Sequence, residues 1–334
     1  SKESVVRQYD HEVQGGSVVK PLVGAANDGP SDAAVIRPVL ESFEGVVVAN
    51  GICPRYGDID AWHMAACAID EAVRNAVAVG GSPDRLAGLD NFCWCDPVQS
   101  EKTPDGHYKL AQLVRANLAL HELTLIYGVP CISGKDSMKN DYQIGDTKIS
   151  IPPTLLFSVI GRIEDVRRAV TMDAKRAGDL VYVLGETKRE LGGSEWYALH
   201  GFVGNDVPKV DGERALALYR ALAKAIREGL VASCHDCSDG GLGVTLAETA
   251  FAGGLGMDVD LAAVPASRIA RDDEALFSES QSRFVATVRP EKKAAFEAAL
   301  AGNTLACVGA VTDDGLFRVR GLRGGVILEE KIEE

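Results

Sequence analysis

The sequence predicts an α+β protein of two domains, and three observations carry that prediction. The chain has 334 residues, more than one ordinary hydrophobic core holds, so about two domains are expected. Strand-length apolar runs alternate with helix-length segments on both sides of a polar connector, EDVRRAVTMDAKRAGD at 164–179. The composition, 46% hydrophobic and 25% charged, is that of a soluble globular protein. The predicted domains are 1–167 and 168–334.

The elements follow in order. VVVAN at 46–50 reads as a buried strand. Residues 58–79 read as a helix, with Asp58 or Asp60 as N-cap and Gly80–Gly81 as the stop. A second helix is predicted over 108–127, ending at Gly128. VPCIS at 129–133 is then a strand, and 151–163 another with a proline-marked start. The second domain opens with a strand at 181–185. Helices are predicted at 212–229 and about 240–252, and strands at 257–261, 283–288 and 305–312. A helix at 292–302 separates the last two.

The net charge of −13 argues against a general nucleic-acid binder, which needs a basic footprint. It leaves nucleotides open, because a magnesium–phosphate site needs carboxylates as well as cations. No apolar run is long enough for a membrane span and no secretory signal is evident. Eight cysteines, several inside apolar runs such as MAACAI, read as reduced thiols of a cytoplasmic protein. The start SKES, without methionine, is expected of a piece of a longer polypeptide.

Chemistry concentrates in CHDCSDGGLG, 234–243. Zinc on Cys234, Cys237 and His235 lacks a second cluster at suitable spacing. A redox pair lacks the strand-then-CxxC-helix entry. A helix start capped by Ser238 or Asp239 accounts for part of the pattern. A carboxylate, a hydroxyl and glycine N–H groups at a helix start also suit a phosphate and its Mg²⁺. Glu71 and Asn75 lie one helical turn apart and offer oxygens to a hard cation, or form a polar pair on an amphipathic helix. Asp32 in GPSDAAVI sits in a turn before a strand. SGKDSMKND at 133–141 puts glycine, lysine and a hydroxyl at a strand end, without Walker A spacing. LDNFCWCDP at 89–97 and FSESQSRF at 277–284 add Asp90 and a polar triplet.

In order, QYDHEVQG, SDAAVI, DEAVRNAVAVGG, SGKDSMKND, HDCSDGGLGVTLAE and SESQSRF resemble the second synthetase half of phosphoribosylformylglycinamidine synthases. These belong to the aminoimidazole ribonucleotide synthetase-like superfamily. The resemblance implies a fold whose N-terminal domain pairs into a β-barrel. It implies an ATP-dependent ligase of purine synthesis that makes formylglycinamidine ribonucleotide with ammonia from glutamine. Asp32, Glu71, Asn75 and Asp236 match Mg²⁺ ligands, and Ser238 and the Ser31 backbone match ATP/ADP contacts. Asp90, Gly134, Lys135 and Ser137 match positions reaching a catalytic cleft, with Lys135 where that type has asparagine. Nucleotide contact is implied for the first three and substrate contact for Ser137. Glu279, Ser280 and Gln281 match a substrate-contacting triplet. The catalytic histidine segment and the glutaminase are missing from the sequence. The implied partners are therefore the first synthetase half and the glutaminase part, with a homodimer expected for the isolated chain. A non-catalytic nucleotide-binding scaffold and a stand-alone kinase or synthetase of the superfamily are the rival readings.

Overall fold

The computed structural model describes residues 3–8 and 13–332; positions 9–12 of the QYDHEVQG motif lie outside the described residues. Two sheets organise the chain. The first has six strands in the order Ser17–Val19, Ala34–Ile36, Gly45–Ile52, Thr154–Ile163, Leu86–Cys93, Cys131–Ser137. Its pairings are antiparallel except the last, where Leu86–Cys93 runs parallel to Cys131–Ser137. Parallel neighbours need a long crossover, supplied here by the Gly106–Tyr127 helix.

Only one face of this sheet is covered. Val47, Ala49, Phe157 and Val159 are buried against helices, while Val48 and Ile160 on the other face are 41% and 45% exposed. The strict alternation along Gly45–Ile52 expresses this. The Ala61–Ala78 helix lies on the covered face. Asp60 caps it, its carboxylate accepting from the Trp62 and His63 N–H groups. Its many alanines let it approach closely. A Cβ on Gly51 would stand 2.2 Å from the Ala68 carbonyl oxygen and 2.7 Å from Glu71 Cβ.

The second sheet has seven strands: Ser233–Asp236, Phe284–Val288, Leu180–Leu184, Leu305–Thr312, Gly256–Asp260, Leu316–Arg320, Val326–Lys331. Its interior strand Phe284–Val288, beside the Ser233–Asp236 edge, is buried at every position, so it reads as a continuous apolar run. The Ala61–Ala78 helix also packs against the Gly212–Arg227 helix and the Ser233–Asp236 strand. One hydrophobic cluster runs through this junction, from Val47 and Ile69 to Tyr219 and Phe284. The strand end at Asp236 is thereby fixed beside the helix that covers the first sheet.

Candidate functional site

Asp236 ends the Ser233–Asp236 strand, and Asp32 follows the short Gly29–Pro30 strand. They meet although 204 residues apart: the Asp236 N–H donates to Asp32 Oδ1 at 3.0 Å. His235 Nδ1 is 2.7 Å from the same oxygen and its Nε2 is 3.0 Å from Glu248 Oε2. Burial would lower the His235 pKa, but Asp32 and Glu248 prevail and hold it well above the usual histidine range. Asp32, His235 and Asp236 present ligand atoms within 4.8 Å of one another.

The Ala61–Ala78 helix brings Glu71 and Asn75 to this corner. Glu71 Oε2 accepts from the Ile52 N–H at 2.9 Å, and Asn75 Nδ2 donates to the Asn50 carbonyl at 3.1 Å. Burial pushes Glu71 up to about 8; Arg74 opposes this, and Asp236 and Asp239 add to it. Asp236 is pushed up to about 6 by burial, against Arg74 and with Asp32. Asp32 Oδ2 and Asn75 Oδ1 are buried with no hydrogen-bond partner. Buried carboxylates with raised pKa values, beside buried oxygens without a donor, form a set that a hard cation would satisfy. These oxygens suit Mg²⁺.

A residue that the spacing argument passed over holds the corner together. Arg74 is fully buried. Its Nε donates to Asp236 Oδ2 at 3.1 Å, and Nη1 donates to Asp70 Oδ2 at 2.5 Å and Gln281 Oε1 at 2.9 Å. Asp70 also accepts from Tyr127, Tyr219 and Ser282. The signal was the one arginine of an alanine-rich helix, which a core admits only when paired.

The CHDCSDGGLG loop differs in detail from its expected cap. The Gly241–Gly253 helix is capped by Gly240 in the left-handed region at φ 79°, and no side chain caps it. Neither Ser238 nor Asp239 fills that place, because the glycine turn directs the chain into the helix. Ser238 Oγ instead donates to Asp236 Oδ1 at 3.4 Å. The Gly240 N–H donates to Glu279 Oε1 at 2.8 Å, and the Ser31 N–H to the Pro21 carbonyl at 3.0 Å. Cys234 and Cys237 are buried, and burial pushes both thiols up. That favours inert core thiols.

The remaining candidates fall into two places. Glu279, Ser280 and Gln281 are buried and bonded within the protein. Glu279 accepts from Tyr56 Oη at 2.7 Å and from the Glu195 N–H at 2.9 Å, and Ser280 bonds the Lys188 backbone. GKDS proves to be strand rather than loop, since Cys131–Ser137 pairs beside Leu86–Cys93. The pleat therefore divides that group. Asp90 pairs with Gly134 on the helix-covered face, where a Cβ on Gly134 would stand 2.8 Å from Asp90 Oδ1. Lys135 and Ser137, hydrogen-bonded to each other, share the open face with Asn91 and Leu89.

Comparison with known proteins agrees with this architecture. Residues 176–321 match the family model "AIR synthase related protein, C-terminal domain". The chain is 35% identical over all of its length to the phosphoribosylformylglycinamidine synthase subunit PurL of Alkaliphilus metalliredigens. It is homologous to PurL. The Methanocaldococcus jannaschii PurL is likewise 35% identical, over 88% of this chain. The chain spans 42% and 38% of these two relatives. Among solved structures, T. maritima PurL complexed with FGAR superposes with a TM-score of 0.72 at 20% identity, over 93% of this chain and 48% of that one. The same protein complexed with ADP gives 0.69 at 19%, over 98% and 50%. At these identities the structural likeness speaks to the fold. No helix among the described residues is long and apolar enough to cross a membrane.

Proposed function

We propose that the chain is the second synthetase half of a phosphoribosylformylglycinamidine synthase and divides into domains at 167/168. The observation that carries this is the meeting of Asp32 and Asp236 beside Glu71 and Asn75, with two buried oxygens lacking donors. On this reading these four residues hold Mg²⁺, which when bound neutralises phosphate charge. Ser238 and the Ser31 backbone flank the nucleotide, ATP or ADP. His235 holds Asp32 in place, and Arg74 holds Asp236. Asp90, Gly134 and Lys135 contact nucleotide and Ser137 contacts substrate at the cleft of the paired half. Glu279, Ser280 and Gln281 shape the substrate side from within, since their polar atoms are engaged internally.

The reaction belongs to the whole enzyme: ATP activates the formylglycinamide oxygen, and ammonia from glutamine displaces phosphate. The chain's length relative to PurL supports the view that the first half and the glutaminase part lie on other segments or subunits. The open apolar sheet face supports pairing of the first domain into a barrel, with the other half or a second copy. The cytoplasm is its expected place.

A second reading, a nucleotide-binding scaffold half without chemistry of its own, is favoured by one observation. Lys135 and Ser137 lie on the sheet face opposite the helix that carries Glu71 and Asn75. The test is thermal unfolding of the chain with ADP, with Mg²⁺ and with both, plus analysis of nucleotide released on denaturation. Ligand binding only the folded state adds about 4 kcal/mol at a thousandfold excess over Kd. A shift that requires both, or retained adenine nucleotide, supports the site; the absence of both counts against it. ATP turnover by the chain alone would set aside the scaffold reading.

A further inference from the structure

We propose that the cavity walled by the turn at 80–82, residues 162–168 and the end of the Gly212–Arg227 helix binds a phosphate monoester carried on an apolar body. It shares no residue with the Asp32–Asp236 corner and does not rest on the reading of that corner. Its volume is about 220 Å³, and Arg85, Arg162, Arg168 and Arg227 line it against Glu164 and Asp165. The chain as a whole carries −13, so a local excess of cations runs against its general charge. The walls come from the turn after the Ala61–Ala78 helix, the connector that follows the Thr154–Ile163 strand, and a helix that packs beside the second sheet. Junctions between packed units are common places for ligand sites.

An accounting of the charges leaves three arginines over. Arg162 is paired with Glu44. Asp165 is held by the fork of Arg167, at 2.7 and 3.2 Å. The other carboxylates beside these arginines in the chain are also taken, Asp84 by Arg220 and Glu228 by Lys224. The side chains of Arg85, Arg168 and Arg227 have neither a hydrogen bond nor a salt bridge among the described residues. Arg227 stands in the last turn of its helix, where the dipole favours a cation, so it needs no ligand by itself. Arg85 and Arg168 come from other segments, and that account does not reach them. All three arginines are exposed and border one cavity.

These features select the ligand. Guanidinium groups from three segments match an acceptor with several oxygens, and a phosphate meets such groups through short, forked, charge-assisted bonds. The Ser82 hydroxyl, which does not cap the Pro83–Arg85 turn, adds a donor. The rest of the lining is apolar. Ile163 and Ile226 are buried beneath the rim. Gly80, at φ 102°, leaves the approach to Ile226 open, since a Cβ there would stand 3.1 Å from Ile226 Cγ2. An inorganic ion gains nothing from the isoleucines, whereas an ester with an apolar body packs on them. Phenyl phosphate is a small probe of that class.

The test is calorimetric titration of the full chain with phenyl phosphate, inorganic phosphate and phenol, at low salt and with a chelator present. Phenyl phosphate is expected to bind at least tenfold more tightly than phosphate, and phenol not detectably. Arg85→Ala and Arg168→Ala should each weaken phenyl phosphate about tenfold, the effect of losing one charge-assisted bond. Both side chains are exposed, so the fold should survive their removal. Arg162→Ala removes the same formal charge from the lining, but from an arginine already engaged by Glu44, and should change the affinity less than twofold. Asp32→Asn should leave the titrations unchanged, which separates this cavity from the proposed metal–nucleotide corner. No binding at millimolar concentration, or equal binding of phenyl phosphate and phosphate, would overturn the proposal. So would insensitivity to Arg85→Ala and Arg168→Ala, an equal loss in Arg162→Ala, or a loss in Asp32→Asn.

Discussion

The two sheets of this chain are built to opposite specifications. Gly45–Ile52 alternates buried and exposed residues, whereas Phe284–Val288 is buried throughout. The second sheet buries its interior strands Phe284–Val288 and Leu180–Leu184 almost completely, although its Val326–Lys331 edge is exposed. The first presents Ile36, Val48, Ile52 and Ile160 to its surroundings, each at least 40% exposed, on a face they share with Asn50 and Ser158. Such a surface on a folded domain marks an interaction site. The difference teaches that one chain carries a sheet with fully buried interior strands and a sheet with one face left open to its surroundings. The corner proposed to hold metal and nucleotide lies between the two sheets.

Four substitutions test this contrast, beginning with the largest effect. Val47 and Val48 are neighbours on opposite faces. Val47→Asp places a charge in the core and is expected to cost roughly 4 kcal/mol or more, so the chain should not fold cooperatively. Val48→Asp should leave the far-ultraviolet circular dichroism and Tm nearly unchanged while dispersing any dimer seen by sedimentation. A wild-type chain that is monomeric at high concentration would break the comparison. Equal damage from both substitutions would show that the outer face is not open.

Next in size is Arg74→Met. Removing one partner of a buried pair leaves Asp70 and Asp236 uncompensated, at a cost of about 3–5 kcal/mol. Denaturant unfolding reads this directly. A loss below about 1 kcal/mol would remove Arg74 as the tie between the helix, Asp236 and the 279–281 loop.

The smallest effect is a pH dependence at Glu279. Burial pushes this carboxyl up to about 7, against the Tyr56, Gly240 and Glu195 donors that favour its ionised form. A carboxyl with a raised folded-state pKa binds its proton more tightly when folded. Its stabilising contribution is full below the unfolded value near 4.5 and is lost as pH rises through 7. The Tm of the wild type relative to Glu279→Gln should therefore fall between pH 5 and pH 8. A constant difference over that range would show that Glu279 keeps an ordinary carboxylate pKa.

The contrast also explains what the sequence could and could not reveal. Periodicity and glycine stops located the Ala61–Ala78 and Gly212–Arg227 helices within a few residues. The predicted strand at 283–288 was legible because it is buried on both faces. The three-residue strands at Ser17–Val19 and Ala34–Ile36 are too short to show a period. Leu316–Arg320 and Val326–Lys331 carry charged residues at the sheet edge, which breaks the apolar pattern. Glu71 and Asn75 could be paired from helical spacing alone. That Asp32 joins Asp236 is a long-range fact, which entered only through the resemblance of ordered motifs. His235 was considered as a zinc ligand with the neighbouring cysteines. Its ring meets Asp32 and Glu248 instead, and in the two-residue alternation of the strand Cys234 falls on the other face. Arg74 carried a visible signal, a lone cation in an alanine-rich helix, whose three partners only the fold reveals.

The most direct test of the account is a calorimetric titration of ADP into the wild type and Asp32→Asn, with Mg²⁺ and with a chelator. The wild type should bind ADP in a Mg²⁺-dependent manner, and Asp32→Asn should stay folded and lose at least tenfold in affinity. Mg²⁺-independent binding, or binding that Asp32→Asn leaves unchanged, would contradict the assignment of this corner as the metal–nucleotide site.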